Sequence, residues 1–549
     1  MDLSLANVIP CNGPCRKRFH PATVNLDQTV ADVLRTSNGK SSGLWWFCPE
    51  CRQTVDLPLH YVMDLPAEML GMIFQYLDVN SLLEVRSTCH RWKDIVDQSY
   101  SLRKEFFVAF NGMFTMDETF HPENLLPASR TRLNQSKIIC VDAWWPAFGA
   151  ALTELSLCYC EIGLPVLLGM LRATPNLISL RLGITEYNSD EVIRADFRLE
   201  KLESLFCRRV LDIFGDIFPR LRKVDFSLVE DDDNDEEIAA CLLMRSVQGT
   251  LKNLSCYLTQ FIVDQICSMA QLKLETADDL PDSDLAVQLS QMQPSIRVLS
   301  CQAAVNEDLI DIGQNLENLE ELSAIMAPAE EYEEILVPSF LTEMPQLTKL
   351  TLAGEKDLYL NFERIKCSNL SYLSLDGFKV VGDSLRIFLT SCSNLQNVQI
   401  KDCRLQSWSD IFAAGWKSLR CLKLWNNRVH RNAMRISKRL NTLKELVIGC
   451  CHIPTKKLIE LVLRCPNLEK LELASLKAVD DEFVSNLDQF PQLKELDIGN
   501  CPITDKSVEF ITENCSHLLV TIRCDQVSSV AKKLLNRVTR KQEHFSNIC

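Results

Sequence analysis

No apolar run in the 549-residue chain reaches the roughly 18 residues that would mark a membrane span. Its start, Met1-Asp2-Leu3-Ser4-Leu5, lacks the basic stretch that opens a secretory signal. Neither membrane insertion nor export is expected, which points to a cytoplasmic or nuclear chain. Common catalytic motifs are also missing: there is no phosphate-binding loop, dinucleotide-binding glycine pattern, nucleophile elbow or zincin helix. Positive charge is in deficit, with 58 lysines and arginines against 73 acids and a net charge of -15. An overall anion suits the phosphate backbone of nucleic acids poorly, so nucleic acid is not expected as a partner. No arginine cluster along the chain marks a phosphate pocket.

What is present is ordinary globular material, 46% hydrophobic and 24% charged. The length predicts three or four compact domains unless repeats break that rule. The 24 cysteines are many, yet below the density of a disulfide scaffold. In a reducing compartment they should be free, metal-bound or buried.

Residues 1–60 carry Cys11-x3-Cys15, His20 and Cys48-x2-Cys51. Two close thiol pairs are what a tetrahedral structural zinc needs, and turn residues Gly13, Pro14 and Pro49 suit the ligand loops. So short a segment buries too little to fold alone, which a metal would offset. The pattern Cys15-x4-His20 followed by Trp46-Phe47-Cys48-x2-Cys51 resembles half of a PHD finger. The family's first cysteine pair has no counterpart, and Thr23 stands where a cysteine should follow the histidine. The expectation is one zinc held by Cys11, Cys15, Cys48 and Cys51, with His20 as a packing remnant.

From residue 65, Leu65-Pro66-x2-Met69-Leu70-x2-Ile73-Phe74-x2-Leu77 places apolar residues at three- and four-residue steps, one face of a helix. Asp78 to Ser81 forms a capped break, and two more short helices follow through Leu82, Leu83 and Val85 and through Trp92, Ile95 and Val96. Three such helices make a poor independent core, so part of this apolar surface is expected to meet a partner. With Arg86, Cys89 and Trp92 the series resembles an F-box. That resemblance implies docking on the Skp-type adaptor of cullin–RING ubiquitin ligases, with Leu65, Pro66, Met69, Leu70, Ile73, Phe74 and Leu77 as contact candidates. The chain has no full RING ligand set of its own.

Beyond residue 150, Leu-x2-Leu-x-Leu recurs at Leu152, Leu177, Leu347 and Leu370, then in conservative forms at Leu395, Leu419, Leu443, Leu468 and Leu493. From Leu370 on, the starts lie 24 or 25 residues apart, the leucine-rich-repeat period. Weaker units begin at Leu202, Leu221, Leu251, Met269, Ile296, Leu319 and Leu519, for about 16 repeats. Each unit reads as strand, turn and helix, and stacking lets the units share one core. Cys160, Cys403, Cys451 and Cys501 sit eight residues after a repeat's first leucine, as does Asn427. Cys207, Cys256, Cys301 and Cys524 replace a strand leucine, and Cys367, Cys392, Cys465 and Cys515 precede a repeat start. This phase marks all twelve as small buried hydrophobes and resembles the cysteine-containing class of leucine-rich repeats.

The fold class read from these residues is α/β: a leucine-rich-repeat solenoid of about 16 repeats, preceded by a three-helix F-box and a small zinc-stabilised module. The boundaries are 1–60 for the zinc module, 61–106 for the F-box, 107–150 for a linker and solenoid cap, 151–526 for the repeats and 527–549 for a C-terminal tail, whose basic stretch 532–541 is expected to fray beyond the last repeat. The resemblance implies a non-catalytic substrate-recognition subunit of an SCF-type ubiquitin ligase, with adaptor, cullin scaffold and a protein substrate as partners. The strand positions between buried leucines should form the concave binding face, with Tyr372, Lys401, Lys423, Trp425 and Glu472 as substrate candidates. Two other readings are a scaffold that does not lead to degradation and a chromatin reader working through the partial PHD finger. Seven acids within 230–237 are expected to lie in a solvated loop.

Overall fold

The computed structural model describes residues 9–10, 18–19 and 65–535. Exceptions are 123–124, 184–185, 189–194, 211–212, 227–233, 328–334, 355–357, 364, 413, 415, 432–433, 437–438 and 516. The four expected zinc ligands lie outside the described residues. Of that module the backbone shows one antiparallel pair, Ile9–Pro10 against Arg18–Phe19.

Three helices follow: α1 (Ala67–Phe74), α2 (Val79–Thr88) and α3 (His90–Gln98). Pro66 is the cap residue of α1, where a missing N–H costs nothing. Asp78 starts α2 by accepting the Ser81 amide at 2.7 Å. A small core of Leu70, Phe74, Leu82 and Val96 closes between them, with Phe74 edge-on to Trp92 at 5.4 Å. Arg86 grips Asp97 with two hydrogen bonds, of 2.6 and 3.0 Å, and ties α2 to α3. A short fourth helix, Tyr100–Arg103, leads through buried Leu102 and Phe106 into the first strand of the solenoid.

Among the described residues, eighteen strands then form one parallel sheet from Phe107–Asn111 to Leu519–Arg523. The register repeats from strand to strand: Leu422 lies opposite Val398 and Leu446, and Leu424 opposite Ile400 and Ile448. The two end strands each show a register with a single neighbour, so the pairings trace an arc. Because side chains alternate across a strand, the leucine rows face the outer layer and the residues between them face the other way. Each buried leucine contributes about 1.5–3 kcal/mol, which only the stack makes available. Expected helices appear at Ser384–Ser391, Thr455–Leu463 and Asp505–Asn514.

The sheet has two strands more than the sixteen repeats counted in the sequence. They lie in 107–150, so that segment is two further repeats and no linker: Phe107–Asn111 pairs with Arg130–Asn134, which pairs with Glu154–Cys158. The motif was hidden because buried Ala128 and Thr131 stand at two leucine positions, and the Thr131 hydroxyl donates to the Val108 carbonyl at 2.9 Å. Phe110, Trp144, Trp145 and Phe148 pack together over these repeats.

Two weak units are out of phase. Ala277 lies opposite Leu254, so the unit assigned to Met269, Leu272 and Leu274 begins at Leu274 and its strand is Thr276–Leu280. At the C-terminus Val520 and Ile522 lie opposite Leu496 and Ile498, leaving Leu519 exposed and Cys524 past the strand. In both places the sequence offers leucines on either side of the strand, and only neighbour pairing selects the face.

The tail also differs from expectation. Residues 529–535 are helical, and Ala531 and Leu535 bury against the last repeat. Asp505 accepts the Ser528 amide at 2.7 Å at the start of this segment, which therefore covers the open end of the core up to the last described residue. The acidic run is partly helix: Asn234–Ser246 begins within it, and Glu236 pairs with Arg209 at 3.3 Å. Acids in a first turn complement the helix dipole.

Candidate functional site

On α1 the apolar residues occupy two faces, of which only one is needed internally. Leu70 and Phe74, both named as contact candidates, are 1% and 3% exposed and belong to the domain's own core. Leu65 and Leu77 are half-buried, while Pro66, Met69 and Ile73 are exposed. The sequence reading missed Met72 and Tyr76, exposed by 56% and 91%, and Val79 and Leu83 on α2. Met69, Met72, Ile73 and Tyr76 fall at i, i+3, i+4 and i+7, a signal that could have found them. The result is a solvent-facing apolar strip along α1 and the start of α2, which a protein surface seldom presents without a partner.

The second candidate surface is the face of the sheet opposite the leucine rows. Register places Lys401, Trp425 and Gly449 in one row on successive strands, and Lys423, Val447 and Glu472 in the neighbouring row. Lys401, Lys423 and Trp425 are thus brought together, with Tyr372 two strands before Trp425 and Glu472 two strands after it. Trp425 is 36% exposed, and its ring lies over Gly449, where a side chain would collide with it. The ring is therefore both seated and presented.

The two lysines are not free. Lys401 donates to Asp376 at 2.8 Å and lies 3.6 Å from Asp402; the Asp376 hydrogen bond is the main cause of its raised pKa. Lys423 pairs with Glu445 at 3.4 Å; burial works to lower its pKa, and Glu445, Cys421 and Glu472 together outweigh this to raise it. Beside it, burial pushes the Cys421 thiol up to about 11. The face offers recognition groups but no assembled nucleophile and base. Among the described residues no cluster of three or more His, Cys, Asp or Glu could hold a metal, and no helix is long and apolar enough to cross a membrane.

All twelve cysteines assigned to repeat positions are buried. Four of them, Cys160, Cys403, Cys451 and Cys501, direct weak S–H bonds to carbonyls of the preceding repeat, at 3.4 to 3.8 Å. Asn427 does the same job more strongly: its amide donates to Ile400 at 2.7 Å and its oxygen accepts the Cys403 amide at 3.0 Å.

The helices and the stacked strands together define the class: an F-box-like domain joined to a leucine-rich-repeat solenoid. Residues 62–109 match the family model described as F-box-like. Residues 433–539 match the model described as FBD-associated F-box protein At5g56370, LRR repeats. A curated relative, the F-box/WD repeat-containing protein pof10 of Schizosaccharomyces pombe (strain 972 / ATCC 24843), is 43% identical over 51 residues, 9% of this chain. The match spans 8% of that relative's length. Among solved structures, the Leptospira interrogans LRR protein LIC12759 is similar at 13% identity and a TM-score of 0.28, over 83% of this chain and 98% of that one. The TLR13–ssRNA13 complex is similar at 16% identity and a TM-score of 0.49, over 74% of this chain and 60% of that one.

Proposed function

We propose that the chain is the substrate-recognition subunit of an SCF-type ubiquitin ligase. The observation that carries this reading is the unpartnered apolar strip of Met69, Met72, Ile73 and Tyr76 on the F-box-like domain, fused directly to a repeat solenoid. The strip docks on a Skp-type adaptor and, through it, on a cullin scaffold. The sheet face around Trp425 holds a protein substrate near the charged ubiquitin-conjugating enzyme, raising its effective concentration. The chain itself makes and breaks no bonds. The deciding experiment is co-purification: Met69→Glu with Ile73→Glu should abolish recovery of adaptor and cullin while leaving the melting temperature unchanged, since both side chains are exposed. Unaltered recovery would mean that the strip serves another partner and that a scaffold role fits better.

One zinc ion held by Cys11, Cys15, Cys48 and Cys51 is part of the same proposal. The antiparallel pair Ile9–Pro10 and Arg18–Phe19 brackets the Cys11–Cys15 stretch in the sequence. Metal analysis of the purified chain should return one zinc, lost on Cys48→Ser with Cys51→Ser. A ratio near zero in the unaltered chain would remove the claim.

A further inference from the structure

No arginine cluster is visible along the sequence, but the solenoid builds one. Arg132 and Arg181 stand on the second and fourth strands, on the sheet face that carries Trp425 farther along, and Arg208 follows directly after the fifth, its amide donating to the Leu182 carbonyl at 3.2 Å. Each guanidinium rests on an aromatic ring: Arg132 on Phe107 at 5.7 Å, Arg181 on Phe206 at 4.0 Å and Arg208 on Tyr159 at 5.1 Å. Arg181 and Phe206 are register partners, so that stack is set by the strand pairing itself.

Among the described residues, none of these arginines has a carboxylate within 4 Å, in contrast to Lys401, Lys423 and Lys470 on the later strands. The same face of the first five strands also shows Arg130 and a single carboxylate, Glu154. Acids return with Asp225 on the sixth strand, in the row of Arg181 and Phe206 and attracted to Arg181 over two strands, and with Asp278 on the eighth. In a chain of net charge -15 this is a local reversal of sign. Stacking fixes the plane of a guanidinium and leaves its edge free for a bidentate acceptor, which lowers the ordering cost of binding.

We propose that the first five repeats bind an extended, carboxylate-rich segment of the protein substrate, with Arg132, Arg181 and Arg208 as the recognition groups and Phe107, Phe206 and Tyr159 as their supports. This deepens the substrate-recognition reading and rests on it. Arg132 and Arg181 share one register row two strands apart, about 10 Å, which three residues of an extended polyproline II peptide span at about 3.1 Å each while returning the side chain to the same face. The fitting ligand therefore carries acids at every third position.

The test uses the full chain and a fluorescein-labelled twelve-residue peptide with Glu at every third position, read by anisotropy against its Gln counterpart. The Glu peptide should bind in a salt-sensitive manner, and Arg181→Gln and Arg132→Gln should each weaken it about tenfold, the worth of one charge-assisted hydrogen bond. Arg181→Lys should recover only part of that loss, because an ammonium keeps the charge and loses the fork. Phe206→Leu should weaken binding without removing any charge. Equal binding of the Gln peptide, binding seen only with phosphoserine in place of Glu, or indifference to the arginine changes would overturn the proposal. Adaptor co-purification is followed in parallel. Peptide binding without adaptor recovery would sink the ligase reading alone, and adaptor recovery without peptide binding would sink this one alone.

Discussion

Gly449 and Trp425 show how one residue decides the shape of the sheet face. A Cβ at 449 would occupy the space of the Trp425 ring on the adjacent strand. Gly449→Ala should therefore cost about 1–3 kcal/mol of stability through overpacking. If the clash is the cause, the penalty disappears in a Trp425→Ala background. A double-mutant cycle in urea measures this directly, and an additive result would show that the glycine matters for another reason. The cysteines teach the complementary lesson. Their repeat phase was legible in the sequence because small apolar groups are needed at the turn out of each strand, and burial is what the structure returns. Burial also suppresses their chemistry: Cys301, Cys392, Cys403 and Cys465 are all pushed up to about 12. Thiols that hold their protons so firmly are packing material rather than nucleophiles. Left-handed backbone was legible only in part. Tyr159, Asp402, Asn426 and Asn500 adopt positive φ just before the turn residue, and only the asparagines and the aspartate advertise it by type.

At the scale of elements, neighbouring repeats are stitched at the starts of their outer helices. Asp481 accepts the Thr504 amide at 2.9 Å and the Thr504 hydroxyl at 2.7 Å, and it also accepts the Ser507 hydroxyl. Burial pushes its carboxyl pKa up, but the Ser507 and Thr504 hydrogen bonds outweigh that and leave it below the ordinary 3.8. A carboxyl depressed in the folded state stabilises above its unfolded pKa and loses that contribution as pH falls through the folded value. Asp481→Asn should lower stability by about 1 kcal/mol at neutral pH, the low end for a partly exposed charged acceptor. The gap to the unaltered chain should narrow as pH falls below the ordinary 3.8, as urea midpoints would record. A gap independent of pH would mean that the shape of the side chain matters and its charge does not. The same scale explains what the α1 pattern concealed. Helical spacing identifies an apolar face, but it cannot tell which of two such faces the domain keeps for itself. Leu70 and Phe74 went inward because Leu82, Trp92 and Val96 meet them there, a choice made by tertiary packing alone.

Across the whole molecule, a solenoid is held by contacts between nearest neighbours, so damage should stay local. The regular repeats announced themselves by period, whereas the middle did not, because its units change their outer layer. There, helices Asn234–Ser246, Gln260–Cys267, Ser283–Met292 and Asn306–Asn315 run between two sets of short outer strands. Farther on, the outer helix shrinks to Ser409–Phe412 and the volume is filled by Trp408, which is fully buried. Its indole N–H donates to the His452 carbonyl at 3.1 Å and so spans into a later repeat. Trp408→Ala should cost about 3–5 kcal/mol by emptying that space. In a compact cooperative domain the loss would speed amide exchange everywhere. Here hydrogen exchange should quicken around residues 395–465 and leave the strands from Phe107 to Cys207 unchanged. The acidic-peptide site of the first five repeats should then survive in the variant, while binding that depends on Trp425 is lost. Uniform acceleration along the chain would mean that the eighteen strands unfold as one unit and that the two ends of the sheet cannot act independently.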